Sequence, residues 1–550
     1  MAAKRVVIVG GVAGGASCAA RLRRMDEHAE ILLIDRGPYV SFANCGLPYY
    51  VGNVIEQESK LLLASPELFR TRFAIEVRTQ HEVLSIERTA KTITVRDLAT
   101  GHEYSEAYDV LVLSPGASPL VPEWPGVREQ GVFTLRNVPD SRAMRTWIDE
   151  QKPASAVVVG GGFIGLEMAE NLVHRGLAVT VVEAAPQLLP PFDREVAEYA
   201  RERLVERGVS LVLGDPVTSI RRVDEQLVVH SQSGRELASG MVVLAIGVRP
   251  EVGLARAAGL QLGQRGGISV DEKMRTSDAS IYAVGDAVEV HNRVTGAYEM
   301  IPLAGPANRQ GRIAADAISG RETRFRGVQG TAVCGFFGMT AAMTGATEKQ
   351  LQRAQIDDYD VIYLHPNQHV GYYPGAQSMH MKLIFRHSDG RLLGAQCVGG
   401  EGVERRIDVI AMAIQMHGTV FDLEEAELCY APQFGGAKDA VNFAGMIAAN
   451  VQRGEMKLAP WGGLQKSSAF ILDVREPSEF GGGTLPGAVN IPLGQLRARL
   501  DELPKEGEIW VSCGVGQRAY YACRILAQHG YDARNLTGGY STYRVIFPAR

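Results

Sequence analysis

Long apolar runs are missing from this chain. No stretch of its 550 residues approaches the ~20 consecutive apolar residues that a membrane-spanning helix needs. The first apolar run, Val6–Val9, is too short for the core of a signal peptide and meets a glycine turn at once. Cysteine is scarce and scattered: seven residues, an odd number, with no Cys-x-x-Cys pair. Such spacing is no disulfide framework, and no histidine–cysteine cluster suggests a metal. Charge of one sign is not in excess either. A net charge of −5 gives no general attraction to nucleic acid or to an anionic membrane. The expectation is a soluble protein of a reducing cytoplasm, without a metal, acting on small molecules.

What is present is an ordinary globular composition, 46% hydrophobic and 22% charged, long enough for about three to four domains. Lys4–Val9 reads as a buried parallel strand, followed by Gly10-Gly11-Val12-Ala13-Gly14-Gly15, a helix through Arg24, and a strand Ile31–Ile34 ending at Asp35 and Arg36. Strand, glycine turn, helix, strand and acid form the dinucleotide-binding pattern, with Val12 in place of the middle glycine. The unit recurs. Ala156–Val159 runs into Gly160-Gly161-Gly162-Phe163-Ile164-Gly165, a full fingerprint, and Val179–Val182 ends at Glu183. Glycine lets the backbone approach a pyrophosphate, and the helix N-terminus offers free N–H groups. Two units suggest one site for FAD and one for a nicotinamide cofactor. Glu183 would accept from a ribose 2′-hydroxyl and repel a 2′-phosphate, which favours NADH over NADPH.

Three further segments fit two nucleotides. Tyr108–Ala117 is a strand and turn containing Gly116, and Val242–Pro250 is a similar pair containing Gly247; together they bracket the nicotinamide domain. Ile281–Ala287 is a strand carrying Gly285 and Asp286, an acid suited to a ribityl hydroxyl. Just after the first nucleotide unit comes Ser41-Phe42-Ala43-Asn44-Cys45-Gly46-Leu47-Pro48-Tyr49. A lone cysteine reads most simply as a small hydrophobe. Two nucleotide sites turn the reading of Cys45 to redox chemistry. The next cysteine along the chain is Cys334, so the resolving sulfur or oxygen must come from a small thiol, a peroxide or another domain. Residues 326–443 read as an α+β unit without a fingerprint, with strands at Val361–Leu364, Met379–Phe385 and Leu392–Val398 and a helix through Arg405–Met416. Pro460-Trp461-Gly462-Gly463 reads as a linker. Beyond it, Cys513-Gly514-Val515-Gly516-Gln517-Arg518 is a tight loop that turns its N–H groups inward around an anionic sulfur, with Arg518 adding charge or bracing it. Cys18, Cys334, Cys397, Cys429 and Cys523 read as packing residues.

On these motifs, residues 1–445 resemble the pyridine-nucleotide disulfide oxidoreductases, specifically the single-cysteine coenzyme A disulfide reductases. The carriers are Gly10–Gly15, Ser41–Pro48, Gly160–Gly165, Thr276–Asp286 and Tyr430–Lys438. Residues 466–550 resemble a rhodanese domain through Asp473–Glu476, Pro486–Pro492, the Cys513–Arg518 loop and Leu536–Tyr540. The combination is similar to coenzyme A disulfide reductase–rhodanese fusions, some of which are NADH-dependent persulfide reductases. The resemblance implies an α/β protein with two Rossmann-like nucleotide-binding domains: FAD at 1–118 and 245–325, NAD at 119–244. An α+β dimerisation domain (326–445), a linker (446–465) and a C-terminal α/β rhodanese domain (466–550) follow, in a homodimer.

It further implies that Cys45 forms a mixed disulfide with coenzyme A, that Cys513 carries sulfane sulfur, and that thiol or persulfide compounds are the substrates. Positions matching Ser17, Arg21, Arg24, Ser41, Asn44, Asn308 and Lys438 contact coenzyme A in that family; relatives often have histidine at the place of Asn308. Ser17, Arg21 and Arg24 share one helix face, where two guanidinium groups suit the phosphates. Tyr430 and either Tyr372 or Tyr373, with Tyr372 preferred, match family tyrosines able to protonate a leaving thiolate. The rival readings are a single-cysteine flavin NADH oxidase or peroxidase cycling through sulfenic acid, and a coenzyme A-binding redox sensor.

Overall fold

A computed structural model describes residues 3–548 as mixed α/β, in two compact units. One unit comprises the chain up to Pro186 together with Gly208–Val328; the other comprises Gln187–Arg207 and the chain from Gln329 onward. Among the described residues no helix is long and apolar enough to cross a membrane.

The first unit holds two five-stranded parallel sheets. In the first, the strands lie in the order Ile281–Ala283, Val110–Leu113, Arg5–Val9, Glu30–Asp35, Glu76–Thr79. Val6, Val7 and Ile8 are wholly buried, because the helix Ala13–Met25 packs on the sheet, the antiparallel strands His81–Glu87 and Thr92–Asp97 share its core, and every side chain of a central strand meets protein. The second sheet repeats the plan: Ser210–Leu213, Ala178–Glu183, Ser155–Val159, Met241–Leu244, Val132–Thr134. The two short segments Ala117–Pro119 and Val248–Pro250 pair antiparallel with each other.

The second unit contains an antiparallel sheet ordered Ala332–Phe336, Met339–Gly345, Leu392–Gly399, His380–Phe385, Asp360–Leu364, packed against the helix Val403–Gln415. Its first two strands escaped the sequence reading. Val333 and Phe336 apart, they are built from Ala, Gly, Thr, Cys and Met, without the apolar–polar alternation of a half-buried strand. Their turn is Phe337-Gly338, with φ of 48° and 74°, the doubly positive pair of a tight hairpin. A parallel sheet follows, ordered Lys457–Leu458, Asp532–Asn535, Glu508–Ser512, Phe470–Asp473, Val489–Asn490.

The segment 446–465, read from the sequence as a linker, is folded. The helix Ala440–Gln452 runs into it, and Lys457–Leu458 forms an edge strand of the last sheet. Trp461 is buried, and its indole N–H donates to the Thr537 carbonyl at 3.0 Å. Proline and glycine mark a turn here, but a large aromatic ring beside them finds a core to fill.

One buried cation ties this unit together. Lys382, on the strand His380–Phe385, is 1% exposed, and its ammonium bonds Asp193 at 2.8 Å and also Glu195 and Glu348. Burial alone would discharge it; the surrounding carboxylates and Tyr363 hold its pKa well above the usual lysine value. Tyr363 donates to Glu195 at 2.9 Å, and its backbone N–H donates to Thr537 of the C-terminal sheet region at 3.3 Å. The three carboxylates satisfy the spacing of a metal site, but Lys382 already fills it. Replacing Lys382 by Met would leave buried carboxylates facing one another. The expected loss is about 3–5 kcal/mol, read as a lowered urea midpoint for the unfolding of this unit.

Candidate functional site

The two glycine turns are built alike. Gly10 (φ 98°) and Gly160 (φ 111°) adopt left-handed backbone, and a Cβ on them would stand 2.0 Å from the Ser114 carbonyl oxygen and 2.3 Å from that of Ala245. A Cβ on Gly15 or Gly165 would strike the oxygen of Gly10 or Gly160. Only glycine permits these approaches. The acids at the ends of the second strands brace the turns. Asp35 accepts from the N–H groups of Gly11 and Gly37, each at 2.7 Å; Glu183 accepts from Gly161 at 2.6 Å and Ala185 at 2.7 Å.

Neither following helix, Ala13–Met25 or Phe163–His174, has a side-chain cap at its N-terminus. Their first N–H groups are left for an anion, whereas the helix Val138–Gln151 is capped by Asn137. A Cβ on Gly162 would have no protein atom within 4 Å, so this face is open to a ligand. The residues present fit a dinucleotide at both turns. Gly14 lies against Ser114 and Val284, and the Gly285 N–H donates to Gln310. Arg36 pairs with Glu251, and Gly116 and Gly247 adopt φ of 72° and 116°.

Cys45 is exposed on the single-turn helix Asn44–Gly46, preceding the short helix Leu47–Val51. The surrounding protein pushes its thiol pKa up, and the carboxylates of Glu167 and Asp286 push the same way. The chain's own carboxylates therefore oppose formation of the thiolate. Glu167 was not singled out from the sequence. It lies on the helix that the second glycine turn opens, and burial raises its carboxyl to about 7 while the Tyr49 hydroxyl, 3.4 Å away, pulls it back. Burial likewise raises Asp286, opposed by the guanidinium of Arg136, a second residue the sequence reading passed over. The available signal for Glu167 was its place one turn past Phe163 on the fingerprint helix.

A cavity of about 400 Å³ gathers Ser17, Arg21, Arg24, Ser41 and Asn308, together with Phe69, Phe73 and Arg312. The Ser17 hydroxyl donates to the amide oxygen of Asn308. Arg21 is held by Asp316 at 2.8 Å. Asn44 and Lys438 are not among the residues lining this cavity.

In the second unit, the hydroxyls of Tyr372 and Tyr430 are 3.0 Å apart, and this hydrogen bond raises the pKa of Tyr372. Tyr373 turns instead to the ring of His369, edge-on at 5.4 Å. Lys438 is exposed just before the helix Ala440–Gln452. Cys513 is buried at the end of the strand Glu508–Ser512, and its sulfur accepts from the Gly516 N–H at 3.1 Å. The loop passes into the helix Gln517–Gln528 through Gly516, at φ 92°. Arg518 is held in a two-pronged pair with Glu479 at 2.6 and 2.7 Å, which lowers the glutamate to about 2. Cys18, Cys334, Cys397 and Cys523 are buried packing residues, whereas Cys429 is exposed, because the segment from Ala426 to Pro432 forms neither helix nor strand and little packs over it.

The chain matches the pyridine nucleotide-disulphide oxidoreductase family over residues 4–311, that family's dimerisation domain over 331–440, and a rhodanese-like domain over 461–545. It is 34% identical to the coenzyme A disulfide reductase of Staphylococcus epidermidis over 445 residues, 81% of this chain and 99% of that protein. The crystal structure of reduced CoADR-RHD of Bacillus anthracis is similar over 100% of this chain and 99% of that one, at 47% identity and a TM-score of 0.97. A NAD-dependent persulfide reductase from A. fulgidus is similar over 98% and 100%, at 36% identity and a TM-score of 0.91.

The acidic surroundings of Cys45 have a measurable consequence. A carboxylate beside a thiol disfavours the thiolate, so Glu167→Gln should move the pH profile of Cys45 alkylation by iodoacetamide to lower pH. The difference from wild type should shrink below about pH 7, where the Glu167 carboxyl is itself protonated.

Proposed function

The chain belongs to the pyridine nucleotide-disulphide oxidoreductase family, and from that premise we propose that it reduces the persulfide or disulfide of coenzyme A with NADH, while its rhodanese-like domain carries sulfane sulfur on Cys513. The observation that carries this reading is an exposed, unpaired Cys45 four residues from Ser41, which lines a cavity with arginines, in a unit that also holds two dinucleotide turns.

In this reading the Cys45 thiolate attacks the inner sulfur of a coenzyme A persulfide. The S–S bond breaks, hydrosulfide leaves, and Cys45 is joined to coenzyme A as a mixed disulfide. Coenzyme A disulfide reaches the same mixed disulfide by expelling coenzyme A thiolate. Two electrons and a proton from NADH then cleave it, returning the Cys45 thiolate and free coenzyme A thiol. FAD, when bound, supplies the relay between the nicotinamide and this sulfur pair. The glycine turn that opens the helix Ala13–Met25, with Asp35 and Asp286, is the proposed FAD cradle, and the turn that opens the helix Phe163–His174, with Glu183, the nicotinamide cradle. The Glu183 carboxylate at the strand end would repel a 2′-phosphate, which supports NADH as the donor. The hydrogen-bonded phenols of Tyr372 and Tyr430 are the proposed proton source for a leaving thiolate, and Lys438 a further contact for coenzyme A.

Cys513 takes up sulfane sulfur within a loop whose N–H groups suit an anionic sulfur; Arg518, committed to Glu479, braces that loop. A homodimer is the proposed assembly. Large apolar side chains stay exposed in the part matched by the dimerisation domain, among them Tyr372, Met412, Met416 and Phe434. All seven cysteines are free, which suits a reducing compartment such as the cytoplasm.

The test is NADH oxidation with coenzyme A persulfide and, separately, coenzyme A disulfide. Cys45→Ser should abolish both, a loss of at least about a thousandfold for removal of the attacking group. Cys513→Ser should retain turnover of preformed coenzyme A persulfide and lose turnover that starts from inorganic polysulfide with coenzyme A. Peroxide turnover in the absence of either substrate's reduction would refute the assignment.

A further inference from the structure

Two tightly packed helices wall the cavity that contains Ser17 and Asn308: Ala13–Met25 and Ala304–Ile318. They approach through glycine; a Cβ on Gly311 would stand 2.3 Å from the Gly14 carbonyl oxygen. Arginines from both helices therefore reach one cavity: Arg21 and Arg24 from the first, Arg312 from the second.

Their electrostatic states differ. Asp316 lies four residues after Arg312 on the same helix, the spacing of an intrahelical ion pair. Its carboxylate is instead taken by Arg21 of the facing helix at 2.8 Å, each side chain only 12% exposed. Arg21 is thereby neutralised. Arg24 and Arg312 have no hydrogen-bonding or ion-pairing partner among the described residues. Two uncommitted guanidinium groups in a concave site, with the half-buried ring of Phe73 in the same wall and Phe69 packed behind it in the core, suit a ligand bearing phosphates and a planar base.

We propose that Arg312, acting with Arg24, grips the phosphate end of the coenzyme A substrate and sets the preference for it over phosphate-free thiols, while Arg21 is a positioning residue that keeps Asp316 away from Arg312. This rests on the coenzyme A reading above. The division of labour is physical. A carboxylate released from Arg21 would lie within reach of Arg312, neutralise it and repel a phosphate.

The test is calorimetric titration of the holoenzyme with coenzyme A and with pantetheine, which lacks the phosphates, for wild type, Arg312→Gln and Arg312→Lys. Arg312→Gln should weaken coenzyme A binding by about tenfold or more, leave pantetheine binding unchanged and flatten the salt dependence. Arg312→Lys should recover part of the loss. In turnover, KM for coenzyme A disulfide should rise while kcat is retained. Equal weakening of both ligands by Arg312→Gln, or no change in either, would overturn the role of Arg312 alone. A wild-type protein that binds coenzyme A no better than pantetheine would overturn that role and the coenzyme A reading together.

Discussion

A disulfide bond needs two sulfurs within about 2.05 Å, and the candidate active cysteine of this chain has no second one to offer. The only other cysteine of its unit, Cys18, is fully buried in the core, where desolvation pushes its thiol up to about 12. Any sulfur that reacts with Cys45 must therefore arrive from outside that unit. In the proposed reading, this requirement makes binding part of the redox chemistry. The cavity that gathers Ser17, Arg24, Asn308 and Arg312 does the work that a neighbouring cysteine would otherwise do.

The two candidate sulfur sites have opposite surroundings. Cys45 is exposed, yet desolvation by the surrounding protein raises its pKa, and the carboxylates of Glu167 and Asp286 add to the rise. Cys513 is buried in a loop where a backbone N–H points at its sulfur and Glu479 takes the Arg518 guanidinium. An open thiol is suited to exchange with a large ligand, and an enclosed sulfur cradled by N–H groups is suited to holding an anionic sulfur. The environment, more than the residue type, separates the two roles.

Charge pairing also organises the second unit. Lys382 draws Asp193 and Glu195 from the segment 187–207 and Glu348 from the antiparallel sheet region into one buried cluster. Tyr363 passes the contact on to Thr537. An internal ammonium of this kind tolerates no vacant neighbour, because each carboxylate left behind would be a buried, unbalanced charge. Asp193 and Glu195 follow the second nucleotide strand closely in the chain, yet they belong to the other unit.

The nucleotide turns and the family were legible in one dimension. Gly10, Gly15, Gly160 and Gly165 stand where a Cβ would collide with backbone, so sterics confine those places to glycine and leave a spacing that can be read directly. Central strands were legible for a similar reason, since burial on both faces demands an unbroken apolar run. The hairpin Ala332–Gly345 and the folded segment around Trp461 were not, because small residues and a Pro-Gly turn carry no periodicity and take their order from the core they meet. Around the candidate site, the order of residues alone says which charged groups exist and which helix face they occupy. Distances in the folded chain settle which of them are spent on one another: Arg21 on Asp316, Arg518 on Glu479, and Arg312 on no partner among the described residues. A steric exclusion admits one residue type and so marks its own position in the chain, whereas charges choose partners by distance through space.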